Sequence, residues 1–392
     1  RAGANYGFGL LLLIIAANVL KFPFFEFSAR YANATGQTLI DGYKRLGKFP
    51  IWAYFIVTLC SMFFVTAAVG LVTSGFMDNL FGLSAIWPSF KLFPIALVFF
   101  VTCILLLSGK FNFLDSIIKV IGITLLASTL IVFVLTLIKG PSEHVTGFVA
   151  PEIFDDNGVL FIIALMGWMP TAVDLSTWIS LWGVEKMKST NYHPSLKETL
   201  FDFNLGYWLS AFLSVCFVVI GAYLIYGTGK VLPADSVGFA DSVIKLYTST
   251  MGDWSYIIIG TAAFSIMLGT SIGVFDGYAR TLQRTTHILF KSEDNKEDDS
   301  TKVYKLSLIV LAIGSFLINA FFAGQFKILI DLATTISFLI APFVAIANLI
   351  LVGKKYIDPK FTPNKLLKLT SYLGILFLTG FAVFYAYVKF IK

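Results

Sequence analysis

The sequence predicts an all-α polytopic membrane protein with about ten membrane-spanning helices. Apolar residues make up 57% of the 392 positions and only 13% are charged, whereas soluble domains contain about 45–50% apolar and about 25% charged residues. Apolar runs of about 20 residues recur along the chain, and each can cross about 30 Å of hydrocarbon as a helix. Because the sequence lacks the ten-residue alternation of a transmembrane barrel, helices must satisfy the backbone in lipid.

Ten apolar runs are the predicted spans, and the third is shorter than the rest. They cover residues 4–27, 51–76, 93–109, 113–138, 158–183, 204–226, 254–279, 303–323, 327–352 and 366–390.

The loops between these runs differ strongly in Lys and Arg content. The loops after the odd-numbered spans hold 17 basic residues, and those after the even-numbered spans hold 4. Since cytoplasmic loops carry the excess of basic residues, the first set is predicted to be cytoplasmic and both termini to lie outside. We expect a multi-pass protein of the plasma (inner) membrane. The net charge of +6 reflects this bias and does not predict a nucleic-acid partner.

The sequence gives little support for catalysis. The three cysteines all fall inside spans, which argues against a disulfide framework, and the three histidines are scattered. No phosphate-binding loop, dinucleotide fingerprint, zinc-ligand spacing or Ser/His/Asp pattern is present. We therefore expect neither an enzyme nor a bound cofactor.

The fifth span, "IALMGWMPTAVDLSTWISLWG" (163–183), predicts a broken membrane helix. Pro170 has no amide hydrogen, and its ring clashes with the carbonyl of Met166, which loses its helical partner. At membrane depth an orphan carbonyl costs several kcal/mol unless protein, water or an ion satisfies it. The half-helix ending near Gly167 also directs its partially negative end to this spot. This arrangement favours a cation, and Met169 adds a soft thioether donor beside it.

Structural interpretations of the same residues stay open. A proline in a membrane helix often makes only a kink, and a single buried methionine such as Met169 is usually core filler. Thr171 and Asp174 have the spacing of a capping box at the start of the second half-helix. An ionisable residue inside the membrane is nevertheless a functional candidate by default, so Asp174 is equally a candidate ion ligand.

The position of the break predicts the domain organisation. Inverted-repeat transporters place a discontinuous helix at corresponding positions in both halves, whereas only one strong break occurs here. We expect one transporter domain over 1–390, in which 1–138 is the remainder of a first repeat, 158–352 is the second repeat and 366–390 is an additional helix. A further helix ahead of Arg1 would complete the first repeat. The alternative is a ten-span protein without internal symmetry.

Other charges within the spans are predicted to have local roles. Lys21 is expected to snorkel toward the cytoplasmic surface. Three acidic–basic pairs at i, i+4 are expected to be structural: Glu26–Arg30, Asp115–Lys119 and Asp276–Arg280.

The segment "MGWMPTAVDLSTW" resembles the unwound sixth helix of the natural resistance-associated macrophage protein (NRAMP) family of divalent-metal transporters, which carries an A-x-x-M-P-H pattern there. "RAGANYGFGLLLLIIAANVLKF" resembles the end of the family's first helix and its second, and the resemblance extends to about Val352 and the last span. It implies the leucine-transporter-like fold with two inverted repeats. Met169 matches the family's metal-binding methionine, and Met166 occupies the position whose backbone carbonyl binds metal.

The chain also departs from the family pattern. The family's histidine after M-P is Thr171 here, and Asp174 is an addition. Span 51–76 lacks the Asp, Glu and His residues that the family uses for protons, the eighth span lacks its Arg, and Ile340 replaces a polar residue. Nothing in the chain corresponds to the family's D-P-G-N metal-binding motif.

The resemblance implies a secondary transporter that imports a divalent transition-metal ion, such as manganese or iron, as substrate. Its expected ligands are Met169, the Met166 carbonyl, Asp174 and Thr171. Protons are a further candidate partner, but symport by the family's usual route is not expected, and we expect a monomer in the lipid bilayer. Three alternatives stay open: a Mg²⁺ transporter of the same fold, a carrier for an organic solute, and a transport-inactive sensor or assembly partner.

Overall fold

The structure is a computed structural model that describes the backbone of residues 1–108, 111–230, 232–233, 235–290, 297–322 and 325–390. Side chains are described in these ranges except at 111–121, 156, 297–300, 326–327 and 388–390. The described residues form helices joined by turns and loops, and they include no strand.

The α-helices are numbered in chain order. They are α1 Ala2–Tyr6, α2 Leu11–Thr35, α3 Leu39–Leu46, α4 Lys48–Phe81, α5 Leu83–Ile86, α6 Phe93–Ser108, α7 Phe111–Lys139, α8 Asp156–Trp168, α9 Ser176–Thr190, α10 Leu196–Leu224, α11 Ser236–Met251, α12 Tyr256–Phe290, α13 Glu297–Phe321, α14 Phe326–Leu351 and α15 Lys365–Phe390. Single 3₁₀ turns cover Val173–Leu175, Asp253–Ser255 and Pro359–Phe361.

The predicted membrane spans are all helical. Across the described ranges, nine helical segments are long and apolar enough to cross a bilayer, with α8 and α9 counted together as one span, Asn157–Thr190. The tenth predicted span is the shorter apolar helix α6, which has 16 residues. The hydropathy of the sequence therefore located every span, and the chain is a multi-pass membrane protein. Its division into two repeats stays a prediction.

The predicted break in the fifth span is present. Helix α8 ends at Trp168, residues 169–172 are not helical, and a 3₁₀ turn leads into α9 at Ser176. The missing amide hydrogen of Pro170 accounts for the interruption. The alternative interpretation of Thr171 and Asp174 as a capping box is wrong, because neither the 3₁₀ turn nor α9 has a side-chain cap.

Helix α11 lies outside the predicted spans. It joins the sixth and seventh spans and begins where the Asp235 side chain accepts a hydrogen bond from the Gly238 amide at 2.7 Å. It packs against α4, with Ser236 close to the α-carbon of Gly75. Helix α11 carries the charged residues Asp241 and Lys245, whose Nζ lies 2.6 Å from Asp241 Oδ2. These charges lower the mean hydropathy of the helix, so an apolar-run criterion misses it.

The broken span is surrounded by long helices. Helix α8 packs on α14, α9 packs on α2, and α4 packs on α12. The backbones of α8 and α14 approach so closely that a Cβ atom at Gly167 would lie 2.1 Å from the carbonyl oxygen of Thr334. Any side chain at this position would push the end of α8 away from α14, so the break is held in place by close backbone packing.

The predicted Glu26–Arg30 pair is confirmed as a buried ion pair within α2. Arg30 Nε donates to Glu26 Oε2 at 2.9 Å, and Arg30 Nη1 donates to the Phe361 carbonyl at 2.7 Å. This pair therefore also fixes the loop before α15. The predicted pair Asp115–Lys119 lies outside the described side chains.

The predicted Asp276–Arg280 pair is also confirmed, and its residues contact side chains of other helices as well. Arg280 Nε donates to Asp276 Oδ2 at 2.8 Å, and the same carboxylate accepts from Trp182 Nε1 of α9 at 2.8 Å and from the Tyr304 hydroxyl of α13 at 2.7 Å. Arg280 also lies 3.7 Å from Glu185. The cluster joins three helices on the predicted cytoplasmic side.

Two glycines of α15 allow a matched test of the packing. A Cβ at Gly374 would lie 2.2 Å from the Leu20 carbonyl of α2, whereas a Cβ at Gly380 would meet open space. We predict that Gly374→Ala lowers the free energy of unfolding by about 1–3 kcal/mol through overpacking. Gly380→Ala should leave it unchanged or raise it slightly, because alanine favours helix. Denaturant unfolding in detergent measures both, and equal effects of the two substitutions would contradict the α2–α15 contact.

Candidate ion site at the broken membrane span

A lysine ammonium lies at the break. Lys21 Nζ of α2 donates to the carbonyl oxygens of Met166 at 2.5 Å, Gly167 at 3.3 Å and Thr171 at 3.4 Å. An ammonium has three donors and no acceptor, so three carbonyls can take up its hydrogen bonds. Two of the acceptors, Met166 and Gly167, belong to the last turn of α8, and the third, Thr171, follows Pro170. The break therefore holds a positive charge, as the freed carbonyls predict, and the charge comes from the protein itself.

The expectation that Lys21 snorkels to the surface is wrong. Its side chain is fully buried, and it lies 14 residues before the end of α2 at Thr35. At 1.5 Å per residue that separation is about 21 Å, which is longer than a lysine side chain can reach. The span predicted from the sequence, 4–27, ends only about 9 Å beyond Lys21, which is why the sequence alone favoured snorkelling. The sequence does not indicate which carbonyls it meets.

Asp174 brings a carboxylate into the same region. It lies in the 3₁₀ turn between the half-helices, its residue is 3% exposed, and its Oδ1 has no hydrogen-bond partner. Asp174 and Lys21 interact electrostatically but form no ion pair within 4.0 Å. The site thus contains one positive and one negative side chain, and the carboxylate keeps an acceptor atom free.

Several buried hydroxyl groups lie within electrostatic range of Asp174. The carboxylate interacts electrostatically with three buried tyrosines, Tyr43, Tyr54 and Tyr278. The Tyr54 hydroxyl and the Thr177 hydroxyl are 2.6 Å apart. These groups are polar without carrying a charge, so they moderate the low dielectric around the carboxylate without neutralising it.

Asn348 of α14 fixes the start of α9 next to this region. Its Oδ1 accepts from the Tyr43 hydroxyl at 2.7 Å, and its Nδ2 donates to the Phe24 carbonyl at 3.1 Å and to Ser176 Oγ at 2.9 Å. The side chain is fully buried and joins α2, α3, α9 and α14. This one side-chain amide therefore fixes α2, which carries Lys21, relative to the start of α9, which follows Asp174.

Met169 and Thr171 lie on opposite sides of the break. Met169 is half-buried and lines a cavity of about 350 Å³ together with Arg1, Asp331 and Thr334, on the predicted outer side. Thr171 and Pro170 line a different cavity of about 960 Å³, on the predicted cytoplasmic side. The consecutive residues Met169 and Pro170 therefore line two different cavities.

The larger cavity extends between α2, α9 and α10. Its lining includes Asn33, Trp182, Glu198 and Asp202 besides apolar side chains. Asn33 Nδ2 also donates to the Pro194 carbonyl at 2.8 Å, which ties α2 to the loop before α10. The lining of this cavity is therefore mostly apolar and includes several polar and charged side chains.

Of the four predicted ligand residues, three contribute atoms near the Lys21 ammonium: the Met166 and Thr171 carbonyls and the Asp174 carboxylate. The fourth, Met169, lines the cavity on the predicted outer side. Among the described residues, no group of three or more His, Cys, Asp or Glu side chains could hold a metal ion. The cation position at the break consists of backbone carbonyls, with one carboxylate and one thioether nearby.

Comparison with known proteins identifies the family. The model of the natural resistance-associated macrophage protein-like family matches residues 1–387. An uncharacterised protein of Pasteurella multocida (strain Pm70) is 30% identical over 387 residues, which cover 98% of this chain and 86% of that protein.

Solved structures share the fold. A histidine-to-alanine mutant of the Eremococcus coleocola manganese transporter superposes with a TM-score of 0.70 at 13% identity, and a glutamate-to-glutamine mutant of the same transporter with 0.71 at 13%. Each match covers 98% of this chain and 81% of the other. The leucine-transporter-like fold expected from the resemblance is thereby confirmed. The chain belongs to the natural resistance-associated macrophage protein family.

Proposed function

We propose that this protein is a secondary transporter that imports a divalent transition-metal ion, with Mn²⁺ or Fe²⁺ as substrate, across the plasma membrane. The observation that carries the proposal is the cation position at the break, where three backbone carbonyls converge on one positive charge. Membership of the family supports a metal substrate, and the structural relatives are described as manganese transporters.

The candidate ligands form a mixed donor set. The carbonyls of Met166 and Thr171 supply hard oxygens, Met169 supplies a soft sulfur, and Asp174 adds a negative charge to the same region. Soft donors favour transition metals and Cd²⁺, whereas Mg²⁺ and Ca²⁺ gain nothing from sulfur. The set therefore suits a borderline ion such as Mn²⁺ or Fe²⁺.

The two cavities support alternating access. Met169 lines the cavity on the predicted outer side, and Pro170 and Thr171 line the cavity on the predicted cytoplasmic side. An ion entering from outside would reach the thioether first and leave past Thr171. Small rotations of the half-helices α8 and α9 would change which cavity reaches the carbonyls, as expected for a discontinuous helix in a transporter.

A second candidate substrate is an organic solute that carries a primary amine. The position at the break already holds an alkylammonium, the Lys21 side chain, through three carbonyls. We expect Mn²⁺ uptake into proteoliposomes to be insensitive to excess methylammonium or amino acids. Saturable uptake of a labelled amino acid, together with no Mn²⁺ uptake, would instead establish the organic substrate.

The role of the Met169 thioether can be tested by measuring how its removal changes the metal selectivity of the protein. We predict that Met169→Ala weakens Cd²⁺ and Mn²⁺ binding relative to Mg²⁺ by about 1–3 kcal/mol, because only the soft donor is lost. Calorimetry on the purified full chain gives the three affinities, and Met251→Ala on α11 is the control. Equal losses for Mg²⁺ and Cd²⁺, or no binding of any divalent ion to the unmodified protein, would contradict the assignment.

Proton coupling by the family's usual route is not expected, because residues 51–76 contain no Asp, Glu or His. Proteoliposomes loaded with a pH dye should show Mn²⁺ uptake without a matching acidification. Asp174 is the remaining candidate for proton transfer at the break, because it is the carboxylate next to the bound charge. Robust proton influx that survives Asp174→Asn would refute both the expected uptake without acidification and Asp174 as the candidate for proton transfer.

A further inference from the structure

The ammonium of Lys21 occupies the carbonyls that a transported ion needs. Its shortest contact is with the Met166 carbonyl at 2.5 Å, the oxygen that Pro170 releases from helical bonding. A divalent ion bound to the same oxygen would lie beside a positive charge in a region of low dielectric, where repulsion between like charges is strong. The ion and the ammonium therefore compete for one position.

A displaced ammonium needs another acceptor, because a buried charge without hydrogen bonds is very costly. Asp174 offers one. Its Oδ1 is buried and has no hydrogen-bond partner, and its charge already attracts Lys21. The other groups that interact with Asp174 are the hydroxyls of Tyr43, Tyr54 and Tyr278, which carry no opposing charge. A rotation of the flexible lysine side chain toward Asp174 would thus exchange carbonyl acceptors for a carboxylate.

We propose that Lys21 is a tethered competitor of the transported ion: its ammonium occupies the carbonyls of the break until an ion binds there, and it then pairs with Asp174. The inference rests on the proposed function. It assigns Lys21 the role of setting ion affinity, and it assigns Asp174 the role of receiving the ammonium. The competition lowers affinity, which favours release of the ion on the far side of the membrane.

The competition is tested by removing the charge of Lys21. Mn²⁺ binding to the purified full chain is measured by calorimetry for the unmodified protein, Lys21→Met and Lys21→Gln; glutamine keeps a donor for the Met166 carbonyl where methionine does not. We expect both neutral variants to bind Mn²⁺ at least tenfold more tightly. Lys245→Met, which removes an exposed lysine of α11, is the matched control and should bind as the unmodified protein does. Unchanged or weaker binding by folded Lys21→Gln would overturn the proposal.

The transfer to Asp174 is tested by a double-mutant cycle. Asp174→Asn alone should weaken Mn²⁺ binding at least tenfold, because the displaced ammonium loses its acceptor. In the Lys21→Gln background the same substitution should change the affinity less than twofold. An equal loss in both backgrounds would mean that Asp174 binds the ion directly, which refutes the transfer. No Mn²⁺ binding by any of these proteins would instead refute the proposed function.

Discussion

The backbone carbonyls released by Pro170 are the constraint on which the arrangement of this protein depends. At membrane depth no water compensates an unpaired carbonyl, so the chain must supply a donor or bind a cation there. Here Lys21 supplies the donor, and in doing so it ties α2, which packs on α9, to the last turn of α8. The same contact satisfies the carbonyls and the buried ammonium together. In this arrangement each group meets the hydrogen-bonding need of the other.

Charge balance then explains which kinds of side chain surround the break. One ammonium and one carboxylate lie in the region, and the rest of the polar lining consists of tyrosine, serine and threonine hydroxyls and the amide of Asn348. Uncharged polar groups can be satisfied by one another through hydrogen bonds, whereas each additional charge would need its own counter-charge.

Several departures from the family pattern concern charged or titratable side chains. Thr171 stands where the family has a histidine, span 51–76 has no acidic group, and a lysine in α2 provides the positive charge. The charged side chains that the structure brings to the break are one lysine, Lys21, and one carboxylate, Asp174. The fold, shared with structures at 13% identity, is preserved because it depends on helix packing and on close glycine contacts such as Gly167 against Thr334. The polar interior can change without altering that framework.

The sequence by itself determined the spans, the class of fold and the place of the break. Hydropathy fixes where helices cross lipid, and Pro170 fixes where one of them must stop, because both effects act within a few residues of the chain. The tertiary structure alone decided which groups meet at the break. Lys21 and Met166 are 145 residues apart, and only the packing of α2 on the broken span brings the ammonium to the carbonyl. For the same reason Asp174, which the sequence also allowed as a helix cap, is buried beside that ammonium with an oxygen left free.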